Sequence, residues 1–359
     1  MKYFLINLLL LLILAGCNSG SQPRQQLSYI KLEGQTMGTY YRVSYGSPQP
    51  QNYQPGIDSL LKALNMEVST YIKDATISRF NQMGSSMPLD MNPYTGQAGS
   101  YRNAHFLSNF LKAKEVYSKT DGYFDPTVMP LVNYWGFGYA PKKAVEQVDS
   151  ARVDSMLLLV GFDKVTLEVS GQDTLFAKAL PGVQLDFSAL AKGYGVDLVG
   201  RFLAARGIDN YLVDIGGEAV ARGLSPRGDS WKIGINTPKE DAAPDDIQTA
   251  VALDNQAVAT SGNYRNFYEV DGVKYSHTIN PKTGFPERNT LLSASVFAKD
   301  CITADAFATA FMAMGLEKAY ELASRLPEVE AYFIYSTEDG AMATRYTSGL
   351  EHLFGQGQQ

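Results

Sequence analysis

The chain has 359 residues, with 31 Lys and Arg against 37 Asp and Glu, and a formal net charge of −6. That acidic balance supplies no electrostatic footprint for nucleic acid, so no nucleic-acid partner is expected. The two cysteines and three histidines form no His pair or Cys cluster, which argues against a zinc site, and the length suits one large domain or two fused lobes.

Residues 1–16 read as a signal peptide. Lys2 gives the positive start, and Phe4 to Leu14 give an apolar run broken only by Asn7. The run is shorter than the roughly 20 residues a membrane-spanning helix needs. Leu14-Ala15-Gly16-Cys17 resembles a lipobox, whereas an ordinary cleaved signal needs no cysteine. The expectation is a lipoprotein acylated on Cys17, tethered through residues 17–28, and membrane-anchored facing the periplasm or cell exterior. Cys301 then has no disulfide partner, and an exported chain of this kind must be held by its core.

In the remaining chain, residues 29–350, many strand patterns precede or flank a few long helical ones. Tyr40–Gly46 alternates like a strand, and Ile57–Val68 and Asn103–Thr120 carry helical spacing. An aromatic, turn-rich segment follows Asp121-Gly122. Val165–Val169 and Thr174–Lys178 predict a hairpin, and Val183–Phe187 predicts a short strand. Ser188 is placed to cap a helix running to about Arg206, before Gly207. Strands are predicted at Tyr211–Ile215, Trp231–Asn236, Ala250–Leu253, Ala257–Ser261, Asn266–Val270, Tyr275–Ile279, Val329–Ser336 and Ala341–Thr347. A helix is predicted at Leu316–Arg325, and residues 351–359 are expected to fray. The class is α+β, with mixed or antiparallel sheets and packed helices.

Two segments carry candidate chemistry. In Ile302–Ala310, Asp305 and Thr309 are spaced i, i+4, so both oxygens share one helix face in apolar surroundings. A buried carboxylate is costly unless paired or metal-bound, and this hard-oxygen pair suits Mg²⁺. The alternative is that Thr303 caps the helix, Asp305 sits in its first turn and Thr309 bonds its own backbone. In Leu185–Gly195, Lys192 falls in the first turn of a helix, where the macrodipole disfavours a cation. Together with the free amides there it suggests an anionic ligand; a solvated lysine on a glycine-packed helix is the alternative. Asp214-Ile-Gly-Gly217 reads as a turn. Arg265 could hold a phosphate or make a surface ion pair. His277 precedes a turn and is either structural or a proton acceptor.

These segments carry a resemblance. The chain is similar to the ApbE family, the FAD:protein FMN transferases. The matching blocks are Thr36–Thr39, Ser69–Tyr71, Ile77–Asn81, Asp121–Thr127, Trp135–Gly138, Leu185–Ser188 with Lys192–Tyr194, Asp214–Gly217, Ser261–Arg265, His277–Gly284 and Ala304–Thr309. They occur in family order.

The resemblance implies a T-fold-like architecture and a flavin site. Met37, Tyr71, Tyr123, Phe124, Asp125, Asp186, Lys192 and Ile279 match positions that contact FAD. Asp305, Thr309 and, through its carbonyl, Ala189 match Mg²⁺ ligands; nothing in the residues alone pointed to Ala189. Asn280 stands where an aspartate is common, and Lys192 where a glutamate can occur. The implied reaction moves FMN from FAD to a Thr or Ser hydroxyl of a partner protein, releasing AMP, with His277 as candidate base. The expected acceptors are exported or membrane flavoprotein subunits with a Ser/Thr-Gly-Ala-Ser/Thr motif, which this chain lacks. An FAD pyrophosphatase and a non-enzymatic flavin-binding lipoprotein are the alternatives.

Overall fold

Tyr41, Val43 and Tyr45 point to one side of their strand and are fully buried, while Tyr40 and Arg42 stay exposed. That period of two builds the first hairpin, β1 (Ser28–Thr36) and β2 (Thr39–Ser47). The structure, a computed structural model, describes residues 27–92, 102–139, 145, 148–170, 173–238, 247–263, 267–270 and 273–354. The signal segment, Cys17, residues 17–26 of the tether and Arg265 lie outside the described residues.

Next come α1 (Gln54–Val68), α2 (Thr76–Gln82), β3 (Ser86–Leu89) and α3 (Ala104–Lys119). α4 (Met129–Tyr134) and α5 (Ser150–Leu157) precede the expected hairpin, β4 (Val165–Ser170) and β5 (Asp173–Lys178). Then follow α6 (Ala191–Ala204), β6 (Asn210–Ile215), β7 (Glu218–Arg222), β8 (Trp231–Asn236) and β9 (Ile247–Leu253). The chain continues through β10 (Ala257–Gly262), β11 (Phe267–Val270), β12 (Val273–Ser276), β13 (Leu291–Ala298) and α7 (Cys301–Met314). It closes with α8 (Leu316–Ala323), β14 (Val329–Ser336), β15 (Met342–Tyr346) and α9 (Glu351–Phe354).

An eight-stranded sheet, ordered β1-β2-β6-β7-β10-β13-β14-β15, is antiparallel at every pairing. α7 packs against β10 and β13, and α6 lies beside it against β6 and β7. α7 is apolar on nearly all sides, with Phe307 and Phe311 fully buried. Each such ring contributes about 2–3 kcal/mol by leaving water. The fold is α+β, as expected, and its main sheet takes the antiparallel form.

Three local expectations are corrected. Val183–Phe187 is not a strand of any described sheet. The Asn81 side chain holds it instead, accepting from Leu185 N at 2.7 Å and donating to Leu185 O at 2.8 Å. Ser188 does not cap α6: its amide and hydroxyl both bond Asp186, at 2.8 and 2.9 Å, and the helix starts at Ala191 after an uncapped Leu190. The expected fraying from residue 351 does not extend to 351–354, where Phe354 stacks on Tyr332 at 4.3 Å. Residues 355–359 lie outside the described residues.

Helix α3 is capped from another helix. The buried Glu67 carboxylate of α1 accepts the amides of Asn103, His105 and Phe106 at 3.0, 2.8 and 3.0 Å. The N-cap Asn103 sits at φ 58° and makes no side-chain cap bond. Glu67→Ala strands those donors in the interior and is expected to cost about 3 kcal/mol or more. Glu67→Gln, which keeps one acceptor oxygen, should recover part of that loss. Urea midpoints of the two variants check the order.

Candidate active site

The site forms where α6 meets α7. Asp197 of α6 accepts the amides of Cys301 and Ile302 at 2.8 and 2.9 Å. Asp300 accepts from Thr303 N at 3.0 Å. Two carboxylates thus satisfy the free amides and favour the positive end of α7. Asp300, rather than Thr303, is the N-cap. Asp305 then lies in the second turn, 3% exposed. Its Oδ2 accepts the Gly193 amide at 2.9 Å.

That bond changes the start of α6. In a longer helix the Gly193 amide would bond the Ala189 carbonyl. Here it donates to Asp305, and the first regular turn runs from Tyr194 N to Leu190 O. The Ala189 carbonyl is left without its helical partner in a residue that lines the cavity. Gly193 is required by contact: a Cβ there would stand 2.3 Å from the Cys301 carbonyl oxygen and 2.8 Å from Asp305 Cβ.

Lys192 pairs with Glu218, the first residue of β7. Burial alone would lower the Lys192 pKa, but the Glu218 and Asp305 carboxylates outweigh it and hold the ammonium above its ordinary value. Burial raises Glu218 to about 7, against the opposing pull of Lys192. Burial likewise raises Asp305, with Lys192 and the Gly193 amide acting the other way. Thr309 shares a 3.3 Å hydroxyl contact with Ser261 at the end of β10.

A cavity of about 770 Å³ opens over this crossing. Tyr71, Tyr123, Phe124, Asp125, Asp186, Ala189, Lys192, His277, Ile279, Asp305 and Thr309 all line it. Met37 does not line it; it occupies the β1–β2 turn at φ 51° and packs on the core near Gly195. Tyr71 stands at the mouth, 73% exposed. Burial pushes Asp125 up to about 6 although Thr127 donates to it through both amide and hydroxyl.

His277 was expected inside a strand and instead follows the end of β12, edge-on to Phe137 at 6.3 Å. The turn beyond it is tied at several points. Gly284 N donates to Asn280 O at 2.8 Å, and Trp135 Nε1 donates to Gly284 O at 2.8 Å. Asn280 Nδ2 donates to Glu287 Oε1 at 2.5 Å while Asn280 Oδ1 accepts from Lys282 N. An aspartate could not donate to Glu287, so asparagine suits this position.

Sequence reasoning missed Glu218. Its only local signal was a carboxylate directly after two turn glycines, which names no partner.

The profile of the ApbE family matches residues 37–333. The chain belongs to the ApbE family. It is 38% identical over 344 residues to an FAD:protein FMN transferase of Vibrio cholerae, covering 95% of this chain and 96% of that one. It is 34% identical over 336 residues to an FAD:protein FMN transferase of Haemophilus influenzae, covering 92% and 93%. The fold matches the flavin transferase ApbE of Vibrio cholerae with a TM-score of 0.77 and 35% identity, over 92% of this chain and all (100%) of that one. It matches the apo flavinyl transferase ApbE of Pseudomonas stutzeri at 0.78 and 33%, over 93% and 99%. The cavity of this ApbE-family chain thus sits in a fold shared along nearly its whole length.

Gly193→Ala forces the two helices apart at a backbone contact. It should destabilise the fold by about 1–3 kcal/mol and disturb the site beyond that global effect. Alanine at Gly195, whose Cβ would meet only side chains at 3.3 Å or more, is the control. Thermal midpoints and cavity-ligand affinity measured on both variants separate the two effects.

Proposed function

We propose that this chain transfers the FMN half of FAD to a Thr or Ser hydroxyl of a partner protein and releases AMP. Transfer of FMN from FAD to protein is the activity for which its relatives are named. The observation that carries the finer reading is the grouping of Asp305, Thr309 and the Ala189 carbonyl, which lacks its helical partner among the described residues, with Lys192 and His277 around one cavity.

Those three oxygen donors fit a hard cation. Asp305, Thr309 and the Ala189 carbonyl would hold Mg²⁺, which when bound supplies charge neutralisation at a pyrophosphate. Lys192 adds a protein cation at the same wall of the cavity. Tyr71 offers a flat apolar face at the mouth for an isoalloxazine ring. His277 takes the proton of the acceptor hydroxyl. The acceptor oxygen bonds the flavin-side phosphorus, the bond from that phosphorus to the bridging oxygen breaks, and AMP carries the bridging oxygen away. Acylation of Cys17 would keep the enzyme at a membrane beside exported flavoprotein subunits.

Incubation with FAD, Mg²⁺ and a partner bearing a Ser/Thr-Gly-Ala-Ser/Thr segment tests the reaction. In-gel flavin fluorescence on the partner, with AMP released in equal amount, is the expected result. AMP and free FMN without labelled partner would establish a pyrophosphatase instead. Asp305→Ala should nearly abolish AMP release, and full activity of that variant in EDTA would refute the cation assignment.

His277→Asn should bind FAD as wild type does and lose roughly 10²–10⁴-fold in transfer rate. Loss of affinity alone would make His277 a binding residue. For the tether, Cys17→Ser should release the chain from membranes, and an unmodified Cys17 in wild type by mass spectrometry would refute the lipoprotein reading.

A further inference from the structure

Glu218 follows the Gly216–Gly217 turn, lines the cavity and is 3% exposed. Its Oε1 takes the Lys192 ammonium. Its Oε2 is buried with no hydrogen-bond partner among the described residues. Leaving such an oxygen unpaired costs on the order of 1–3 kcal/mol, so the position calls for a compensating role.

Two carboxylates compete here for one ammonium. Lys192 is attracted by both Glu218 and Asp305, yet among the described residues its ion pair is with Glu218. Asp305 keeps a single hydrogen bond, from the Gly193 amide to Oδ2. Its Oδ1 carries no bond and no protein cation among the described residues. If Glu218 lost its charge, Asp305 would be the strongest carboxylate still attracting Lys192, with Asp214 of the same cavity acting more weakly. An ammonium drawn there would occupy Asp305 and repel an incoming dication.

We propose that Glu218 is a positioning residue that holds the Lys192 ammonium off Asp305, so that Asp305 stays open to a divalent cation. The inference rests on the magnesium reading above. It adds a residue that would touch neither the cation nor the transferred group and would act through Lys192.

Mn²⁺ added alone to the full chain, with free Mn²⁺ followed by electron paramagnetic resonance, tests both. Wild type should bind the ion, and Asp305→Ala should not. If those two bind alike, the cation reading itself fails. Glu218→Gln, which keeps the side-chain volume, should weaken Mn²⁺ binding about tenfold or more. Unchanged binding overturns the proposal and leaves the cation reading intact. The double variant Lys192→Gln with Glu218→Gln should return to within about threefold of wild type, since no ammonium remains to intrude. A double variant as weak as Glu218→Gln would mean that Glu218 acts on the cation directly, and also overturns the proposal. Thermal midpoints confirm that each variant is folded. Should Glu218→Gln not fold, Lys192→Gln decides: it must bind Mn²⁺ at least as tightly as wild type, and weaker binding refutes the clamp.

Discussion

Everything at the site depends on how closely α6 and α7 approach at Gly193. The Gly193 amide donates to Asp305 at 2.9 Å, and no side chain larger than hydrogen fits against the Cys301 carbonyl. Asp197 reinforces the crossing from the same helix by holding the first two amides of α7. One contact therefore does three things. It satisfies a buried carboxylate, it sets the depth of α7 under the cavity, and it withdraws the amide that would have covered the Ala189 carbonyl. A shift of α7 by one turn would move Asp305 and Thr309 away from both.

The charges near this crossing are unequal by design of the fold. Among the described residues, the Glu218 and Asp305 carboxylates both act on the Lys192 ammonium. Burial makes that surplus negative charge unfavourable, as the raised pKa values of both acids record. A bound dication would relieve it. The same ammonium, held near the cavity wall, favours an anionic ligand. A cation and a polyanion thus suit adjoining parts of one cavity, the pairing that phosphoryl transfer requires.

The far wall is built differently, from loops rather than helices. His277 sits between the end of β12 and a turn whose Gly284 carbonyl accepts from Trp135, whose Asn280 amide donates to the Phe285 carbonyl and whose Asn280 side chain donates to Glu287. These bonds hold a loop residue in place without burying it in a regular element. Tyr123 belongs to the same wall, where Lys318 donates to its hydroxyl at 2.6 Å and Lys282 lies over its ring at 5.0 Å. A rigid helical floor facing a tied loop suits a site that must admit both a nucleotide and a segment of another protein.

The strands with clear alternation and the helices with clear apolar faces were legible in the sequence. β8 and β14 fall at the expected residues, because period and face are local properties of the chain. The i, i+4 spacing of Asp305 and Thr309 was equally local. Val183–Phe187 was misread because an apolar run does not say whether its partner is a strand or, as here, the Asn81 side chain 104 residues away. Glu218 was invisible because nothing near it in sequence is a cation. The Gly193–Asp305 bond joins residues 112 apart, and the Asp197–Cys301 bond residues 104 apart. Sequence alone determined that Asp305 and Thr309 share one helix face and that Lys192 opens another helix. Only the tertiary structure decided which carboxylate keeps the lysine and which carbonyl loses its amide. Those outcomes are competitions between distant groups for one donor, and only the packing of α6 on α7 brings the competitors together.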